Sequence, residues 1–167
     1  MLRKLFSLLL LLICLLLSGC SKETLYFDSP EEAYQEGFEQ PYNVRSVIDC
    51  IEVDEHHVFW LAVIDTPDQP RILEAVTEVK DGKYRLIDRH HFTPLNSASA
   101  NTISGEFISW QTEPLDENDE KRLVWIWVDT DSLTTKEREQ YTCKDYTILS
   151  GEDTVQATLV YYILEAE

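Results

Sequence analysis

The sequence predicts a β-rich α+β domain, in which one short N-terminal helix is followed by an antiparallel meander and a second set of strands. A helix start signal near residue 30, eight short runs rich in aliphatic and aromatic residues, and turn residues between those runs predict this fold class. The chain has 167 residues, which is enough for one globular domain and too few for two sizeable ones.

The predicted helix spans Pro30 to Glu39. Ser29 suits the N-cap, Pro30 the first helical position, and Glu32 the third position of a capping box. Apolar or small side chains recur at helical spacing, at Ala33, Tyr34, Gly37 and Phe38. We therefore expect this side of the helix to pack on a sheet.

Four strands are predicted to form the meander that follows the helix. Their ranges are Val44 to Val53, Val58 to Ile64, Arg71 to Val79, and Tyr84 to Arg89. The second run contains no polar residue, so it is predicted to be central and covered on both faces. The third alternates, with Leu73, Ala75, Thr77 and Val79 on one side. Asp81-Gly82 predicts a tight turn between the third and fourth strands.

A small polar segment, Asn96 to Asn101, predicts a linker to the second set of strands or a break between two subdomains that share a core. The later strands are predicted at Phe107 to Trp110, Leu123 to Val128, Tyr141 to Leu149, and Thr154 to Leu164. A short helical turn is predicted to begin at Asp131 or Ser132 and to run through Glu139.

The composition excludes two broad classes of protein. Lys and Arg number 14 against 31 Asp and Glu, a net charge of −17, and a general nucleic-acid binder needs the opposite balance to neutralise phosphates. The chain also has 4 Trp, 8 Tyr and 6 Phe beside many aliphatic residues, which a disordered acidic chain lacks.

The N-terminus has the organisation of a secretory signal. Arg3 and Lys4 precede an apolar, mainly leucine run from Leu5 to Leu17, which is shorter than the roughly 20 residues that span a bilayer. Leu17 to Cys20 reads LSGC, which resembles the lipobox of bacterial lipoproteins. The resemblance implies that the signal is cut before Cys20 and that Cys20 receives a diacylglycerol thioether. The alternatives are a signal cleaved elsewhere or a retained anchor.

The resemblance divides the chain into a signal peptide (1–19), a lipidated tether (20–28) and one β-rich domain (29–167). It implies a location on the extracytoplasmic face of the cell membrane. Because residues 1–19 hold two of the 14 cations and none of the 31 carboxylates, the mature chain carries 12 against 31, a net charge of −19. In its pattern of helix and strands the mature domain is similar to small uncharacterised lipoproteins of Gram-positive bacteria, a likeness that assigns no activity.

Familiar catalytic and nucleotide-binding motifs are absent from the sequence. The five glycines are too far apart to form a phosphate-binding loop. The chain contains no G-x-S-x-G, H-E-x-x-H or C-x-x-C motif. We therefore predict no cofactor and no catalytic residue.

Two kinds of residue invite a metal-site hypothesis. The four histidines form two pairs, His56-His57 and His90-His91, each near an acidic residue. Neighbouring side chains on a strand point to opposite faces, and the meander places the pairs at opposite strand ends, so we predict no metal site and expect the histidines on solvated loops. The acidic run Asp116 to Glu120 is predicted to be a solvated turn, since Lys121 stands where a calcium loop needs glycine.

Cys50 and Cys143 are the two thiols of the implied mature domain. An extracytoplasmic location permits a disulfide between them, and the alternative is two separate buried cysteines. The four tryptophans also allow two interpretations. Trp125 and Trp127 share a strand face, so they can contribute to a platform for sugars or peptides, or they can belong to the core.

We predict a lipid-anchored, noncatalytic binding module at the cell envelope. The net charge of −19 favours a cationic protein or peptide as the partner. The alternative is an envelope hydrolase or metal-dependent enzyme that uses scattered carboxylates and histidines. A structural lipoprotein without a ligand fits the sequence as well as the binding module does.

Overall fold

Two antiparallel four-stranded sheets form the body of the protein. The computed structural model describes residues 25–98, 110–116, 120–150 and 153–165. The first sheet has the order β1-β2-β3-β4 and is the predicted meander; its strands are β1 (Asn43–Glu52), β2 (His57–Asp65), β3 (Arg71–Lys80) and β4 (Lys83–Pro94). The second sheet has the order β5-β6-β8-β7; its strands are β5 (Gln111–Pro114), β6 (Lys121–Val128), β7 (Thr142–Ser150) and β8 (Asp153–Glu165).

A short helix, α1 (Pro30–Gly37), lies on the outer face of the first sheet. The Ser29 hydroxyl accepts a hydrogen bond from the Glu32 N–H at 3.1 Å, which satisfies one of the free donors of the first turn. The helix ends two residues before the predicted Glu39, because Phe38 has an extended backbone. Tyr34 is buried, and its ring centroid lies 5.8 Å from that of Trp60.

A second helix, α2 (Thr135–Gln140), packs beside β7. It begins with a capping box, in which Thr134 accepts from the Glu137 N–H and Glu137 accepts from the Thr134 N–H. A separate 3₁₀ turn, Thr130–Ser132, precedes it. The single helical turn predicted through this region is thus two elements, because Leu133 between them is extended. Within the described residues, neither helix is long and apolar enough to cross a membrane.

The inner faces of the two sheets pack on each other and share one hydrophobic core. This core includes Phe59, Leu61 and Val63 of β2, Ile72 and Val76 of β3, Leu123, Trp125 and Trp127 of β6, and Leu159 of β8. β2 is buried from Val58 to Ile64, which confirms that it is central and covered on both faces. Of the predicted linker, residues 96–98 are described, and Ala98 lies in the shared core; residues 99–101 lie outside the described residues.

Two strands differ from their predicted ranges by more than two residues at one or both ends. β4 continues five residues beyond Arg89 to Pro94, because its residues 90–94 keep pairing with β3. The fifth strand begins at Gln111, whereas Phe107 to Trp110 was predicted; Trp110 lies before it, and residues 107–109 lie outside the described residues.

The edges of the two sheets are tied together by polar contacts. At one side, the Asp49 carboxylate of β1 accepts a hydrogen bond from the Tyr146 hydroxyl at 2.6 Å and from Lys144 Nζ at 3.1 Å, both on β7. The edge strand β1 has register shifts between Val44 and Ser46 and between Val47 and Asp49. The edge of β4 is covered at its beginning by Phe27, whose backbone exchanges two 2.8 Å hydrogen bonds with Tyr84.

The proposed disulfide between Cys50 and Cys143 is not formed, and both residues are free thiols. Cys50 pairs with Trp60, which belongs to the outer face of the first sheet, and Cys143 packs on the outer face of the second. Packed sheets are separated by about 10 Å, whereas a disulfide requires Cα atoms within about 7 Å. Burial raises the pKa of both thiols.

Candidate functional site

A carboxylate lies inside the apolar interior of the sandwich. Glu74 is on the inner face of β3, between Ile72 and Val76, and its side chain is 1% exposed. Its neighbours in the sheet are Leu61 of β2 and His91 of β4. Burying an ionised carboxylate is costly, so such a group either finds partners or keeps its proton.

Glu74 has one well-formed partner in the described structure. The Trp127 indole N–H donates to Glu74 Oε1 at 2.6 Å, across the space between the sheets. Glu74 Oε2 has no hydrogen bond within the described residues. Burial raises the pKa of Glu74 to about 7, although Thr93, Trp127 and His91 beside it favour the ionised form. Near neutral pH the carboxyl is thus close to half protonated.

A second buried carboxylate lies on the neighbouring edge of the other sheet. Glu113 of β5 is 1% exposed, and neither of its carboxylate oxygens has a hydrogen-bond partner in the part of the chain that the structure describes. His91 Nε2 lies 3.6 Å from Glu113 Oε2, and the imidazole contacts the Trp125 ring edge-on at a centroid distance of 5.0 Å. The His91 side chain is 31% exposed, so it connects the cluster with solvent.

The buried carboxylate cluster consists of Glu74, His91 and Glu113, together with the indoles of Trp125 and Trp127. Within this cluster, the apolar surroundings raise the pKa of the Glu74 carboxyl group, which therefore keeps its proton to a higher pH than an exposed carboxyl group does. Within the described residues, no three His, Cys, Asp or Glu side chains are arranged to hold a metal ion.

The expectation that neighbouring histidines on a strand point to opposite faces is confirmed for one pair. His90 and His91 point to opposite faces of β4, with the His90 ring 4.2 Å from Phe38 on the outer side and His91 between the sheets. The prediction that this pair lies on a solvated loop is wrong, because β4 continues past Arg89 and both residues pack against neighbouring side chains.

The other histidine pair lies beside Asp54, which joins the β1–β2 loop to the second sheet. Asp54 accepts hydrogen bonds from the His56 N–H at 2.8 Å and from Lys121 Nζ at 2.7 Å, and it lies 2.9 Å from His57 Nδ1. Although burial opposes it, these hydrogen bonds lower the pKa of Asp54 to about 2. The Asp54–Lys121 ion pair therefore connects the β1–β2 loop with β6, and His57 contacts Asp54 from the start of β2.

The interpretation of the tryptophans as a binding platform for sugars or peptides is wrong. Trp60, Trp125 and Trp127 are at most 2% exposed and belong to the two cores that cover the first sheet. Trp110 is half-buried on the outer face of the second sheet, where its ring centroid lies 5.6 Å from those of Tyr141 and Tyr162. The surface thus presents no pair of tryptophan rings to a ligand within the described residues.

Two predicted site features lie wholly or partly outside the described residues. Cys20 and the predicted signal peptide lie within residues 1–24, outside the described residues. In the acidic run from Asp116 to Glu120, Asp116 Oδ1 accepts from the Glu120 N–H at 2.9 Å, and both residues are exposed; residues 117–119 are not described.

Sequence reasoning missed the two buried carboxylates. For Glu74 a signal existed, since Ile72 and Val76 stand two positions away on either side and place the carboxylate in an apolar stripe. Glu113 has Gln111 on one side and Leu115 on the other, so no local pattern marks it as buried. Comparison of the chain with protein-family models, curated proteins and solved structures finds no match in any of the three.

Proposed function

We propose that the chain is a lipoprotein anchored through Cys20 to the extracytoplasmic face of the cell membrane, where it acts as a noncatalytic binding module for a cationic protein or peptide. The observation that carries this proposal is the LSGC sequence directly after the cationic start and the leucine-rich run. Two or three acyl chains at one residue provide stable anchoring that a single chain does not.

The path of the chain supports a position close to the membrane. The chain joins the body at Phe27, through its backbone pairing with Tyr84 at the beginning of β4. Phe27 follows Cys20 by seven positions, a distance of at most about 25 Å when the chain is fully extended. The β3–β4 end of the sandwich is therefore the end that an anchor at Cys20 holds near the lipid.

The surface of α1 supports a cationic partner. Glu31, Glu36 and Glu39 are exposed on and just after this helix, and within the described residues none of them forms an ion pair. The last turn of α1 carries no basic residue. Together with the net charge of −19, these carboxylates attract a cationic surface over a distance of about a Debye length. We name them the α1 carboxylates.

An envelope hydrolase is the second candidate, because the fold brings His91 together with Glu74 and Glu113. Both carboxylates are 1% exposed, so a substrate would meet only the imidazole. Because a substrate could not reach Glu74 and Glu113, we rank the hydrolase below the binding module. Ester or amide hydrolysis by the purified protein, lost in His91→Ala and kept in His56→Ala, would reverse the order.

Lipidation is expected to depend on Cys20 alone. Intact-mass and peptide analysis of the membrane-extracted protein should show a chain that begins at Cys20 and carries a diacylglycerol adduct. Cys20→Ala should carry no lipid, whereas the control Cys14→Ala should keep it, because Cys14 lies in the segment that is removed. A wild-type chain with an unmodified Cys20 would contradict the proposal.

The binding module is tested by photo-crosslinking in cells, using the tagged full-length chain followed by mass spectrometry. We expect one abundant partner rich in Lys and Arg, lost in Cys20→Ala. Replacing the α1 carboxylates with glutamine should reduce its capture several-fold, because the attraction is electrostatic.

A matched control keeps the same change in net charge elsewhere on the surface. It replaces three exposed carboxylates, Glu55, Glu120 and Glu139, with glutamine. This control should capture the partner as well as the wild type does. A partner that binds the purified protein equally at low and high ionic strength would show that charge does not select it.

A further inference from the structure

The β3–β4 hairpin gathers three cations at one end of an acidic molecule. Asp81 and Gly82 form its two-residue turn, with φ of 52° and 73°, as in the mirror-image turns that suit tight hairpins. Lys80 and Lys83 stand directly opposite each other in the register, and Arg85 follows two residues later on the same face. With Tyr26 and Asp81, these three cations line a cavity of about 480 Å³, which we name the hairpin cavity.

Two of the cations have acidic neighbours. Lys83 Nζ lies 3.1 Å from Asp28 Oδ1, and this pair is open to solvent, with side-chain exposures of 55% and 82%. Arg85 pairs with Glu78, and its guanidinium carbon lies 5.8 Å from the Tyr26 ring centroid.

Lys80 is the third cation, and it is exposed and has no ion-pair partner among the described residues. The carboxylates beside the cavity are Asp28 and Glu78, which pair with two of its cations, and Asp81, which lines it. Lys80 forms no ion pair with any of these three carboxylates.

The hairpin cavity suits an anion because of its cations. Like charges directly opposite each other weaken a hairpin, and Lys80 and Lys83 are such a pair. The Arg85 side chain lines the same cavity and is 42% exposed. A group with several anionic oxygens would separate the two ammonium charges and accept from the exposed part of the guanidinium, as phosphates do.

We propose that the hairpin cavity binds the phosphate group of a membrane phospholipid, so that the β3–β4 hairpin is the face with which the anchored domain meets the bilayer. This rests on the anchor at Cys20 in the proposed function. Tyr26 follows Cys20 by six residues, a reach of at most about 20 Å. The solvent-exposed Lys83–Asp28 pair contributes little by itself, so a phosphate can replace Asp28 at small cost.

The test is lysine acylation by an amine-reactive ester, read by mass spectrometry. The lipidated protein is labelled in uncharged detergent and again in phosphatidylglycerol vesicles. Lys80 and Lys83 should become several-fold less reactive in the vesicles, because a bound phosphate pairs with their ammonium groups and covers them. Lys136, an exposed lysine on α2 beside the other sheet, is the matched control and should keep its reactivity.

A third sample contains inorganic phosphate in detergent and distinguishes the source of the ligand. Protection of Lys80 and Lys83 as complete as in vesicles would overturn the lipid source and leave a site for free phosphate. Protection in neither sample, or equal protection at Lys136, would overturn the site. The intact mass of the same sample reports lipid on Cys20, so a failure of the anchor is seen separately from a failure of the cavity.

Discussion

Replacing Glu74 with glutamine should stabilise the protein at alkaline pH and remove one component of its pH dependence. Burial raises the pKa of this carboxyl from 4.5 to about 7, so the folded state keeps a proton that the unfolded state loses. The free energy of unfolding therefore falls as pH rises from 4.5 to about 7, by about 3 kcal/mol in total. Glutamine keeps the acceptor for the Trp127 indole and carries no charge.

Urea unfolding followed by tryptophan fluorescence, at about pH 5 and about pH 8, measures this effect. The difference between Glu74→Gln and the wild type should be small at the lower pH and should reach about 3 kcal/mol at the higher pH. Glu36→Gln is the control, because Glu36 is exposed on α1. A constant difference across the pH range would show that Glu74 is ionised in the folded state throughout.

Truncating Trp125 to alanine should cost about 4 kcal/mol of stability, the largest loss that we expect from one substitution. Trp125 is completely buried, and its ring lies 4.9 Å from Phe59 of the first sheet and 5.0 Å from His91, measured between centroids. Its removal leaves a cavity between the sheets that their backbones cannot close, because interiors are tightly packed.

The same denaturation measurement checks this expectation. Trp110→Ala is the control and should cost about 1 to 2 kcal/mol, since that indole is half-buried outside the shared core. Trp125→Phe should lose less than Trp125→Ala and keeps the test available if the alanine variant fails to fold. Equal losses at positions 110 and 125 would place Trp125 outside the stabilising core.

The meander was predictable because its signals are local. Asp81-Gly82 sets the turn between β3 and β4 through its backbone preferences, and the unbroken apolar run after His57 marks β2 as central. Ser29 and Pro30 likewise mark the start of α1 through their own capping and backbone preferences, which do not depend on tertiary contacts.

The apolar neighbours of Glu74 mark that residue alone; the buried carboxylate cluster as a whole was not predictable, because it depends on contacts between distant strands. The alternation of β3 indicated one apolar side, Leu73 to Val79, whereas both sides are covered once the second sheet packs on Ile72 and Val76. The order β5-β6-β8-β7 inserts the last strand between two earlier ones. No local pattern encodes that insertion, and it sets which residues of the second sheet face Glu74.

The relative position of the two cysteines also could not be predicted from local sequence. Whether Cys50 and Cys143 can meet depends on the face that each occupies, and that face is set by the pairing of Cys50 with Trp60 and of Cys143 with Val160. A shift of one residue in either register would turn the thiol to the other side.

The two register shifts in β1 also affect how neighbouring molecules behave. A regular edge strand offers a continuous row of amide and carbonyl groups, to which the edge of a second copy can add. Each shift bends the strand and interrupts that row. In the proposed form anchored through Cys20, copies would be confined to a plane, and their edges would meet far more often than by free diffusion. The irregular edge of β1 would then let many copies share one membrane without joining into fibres.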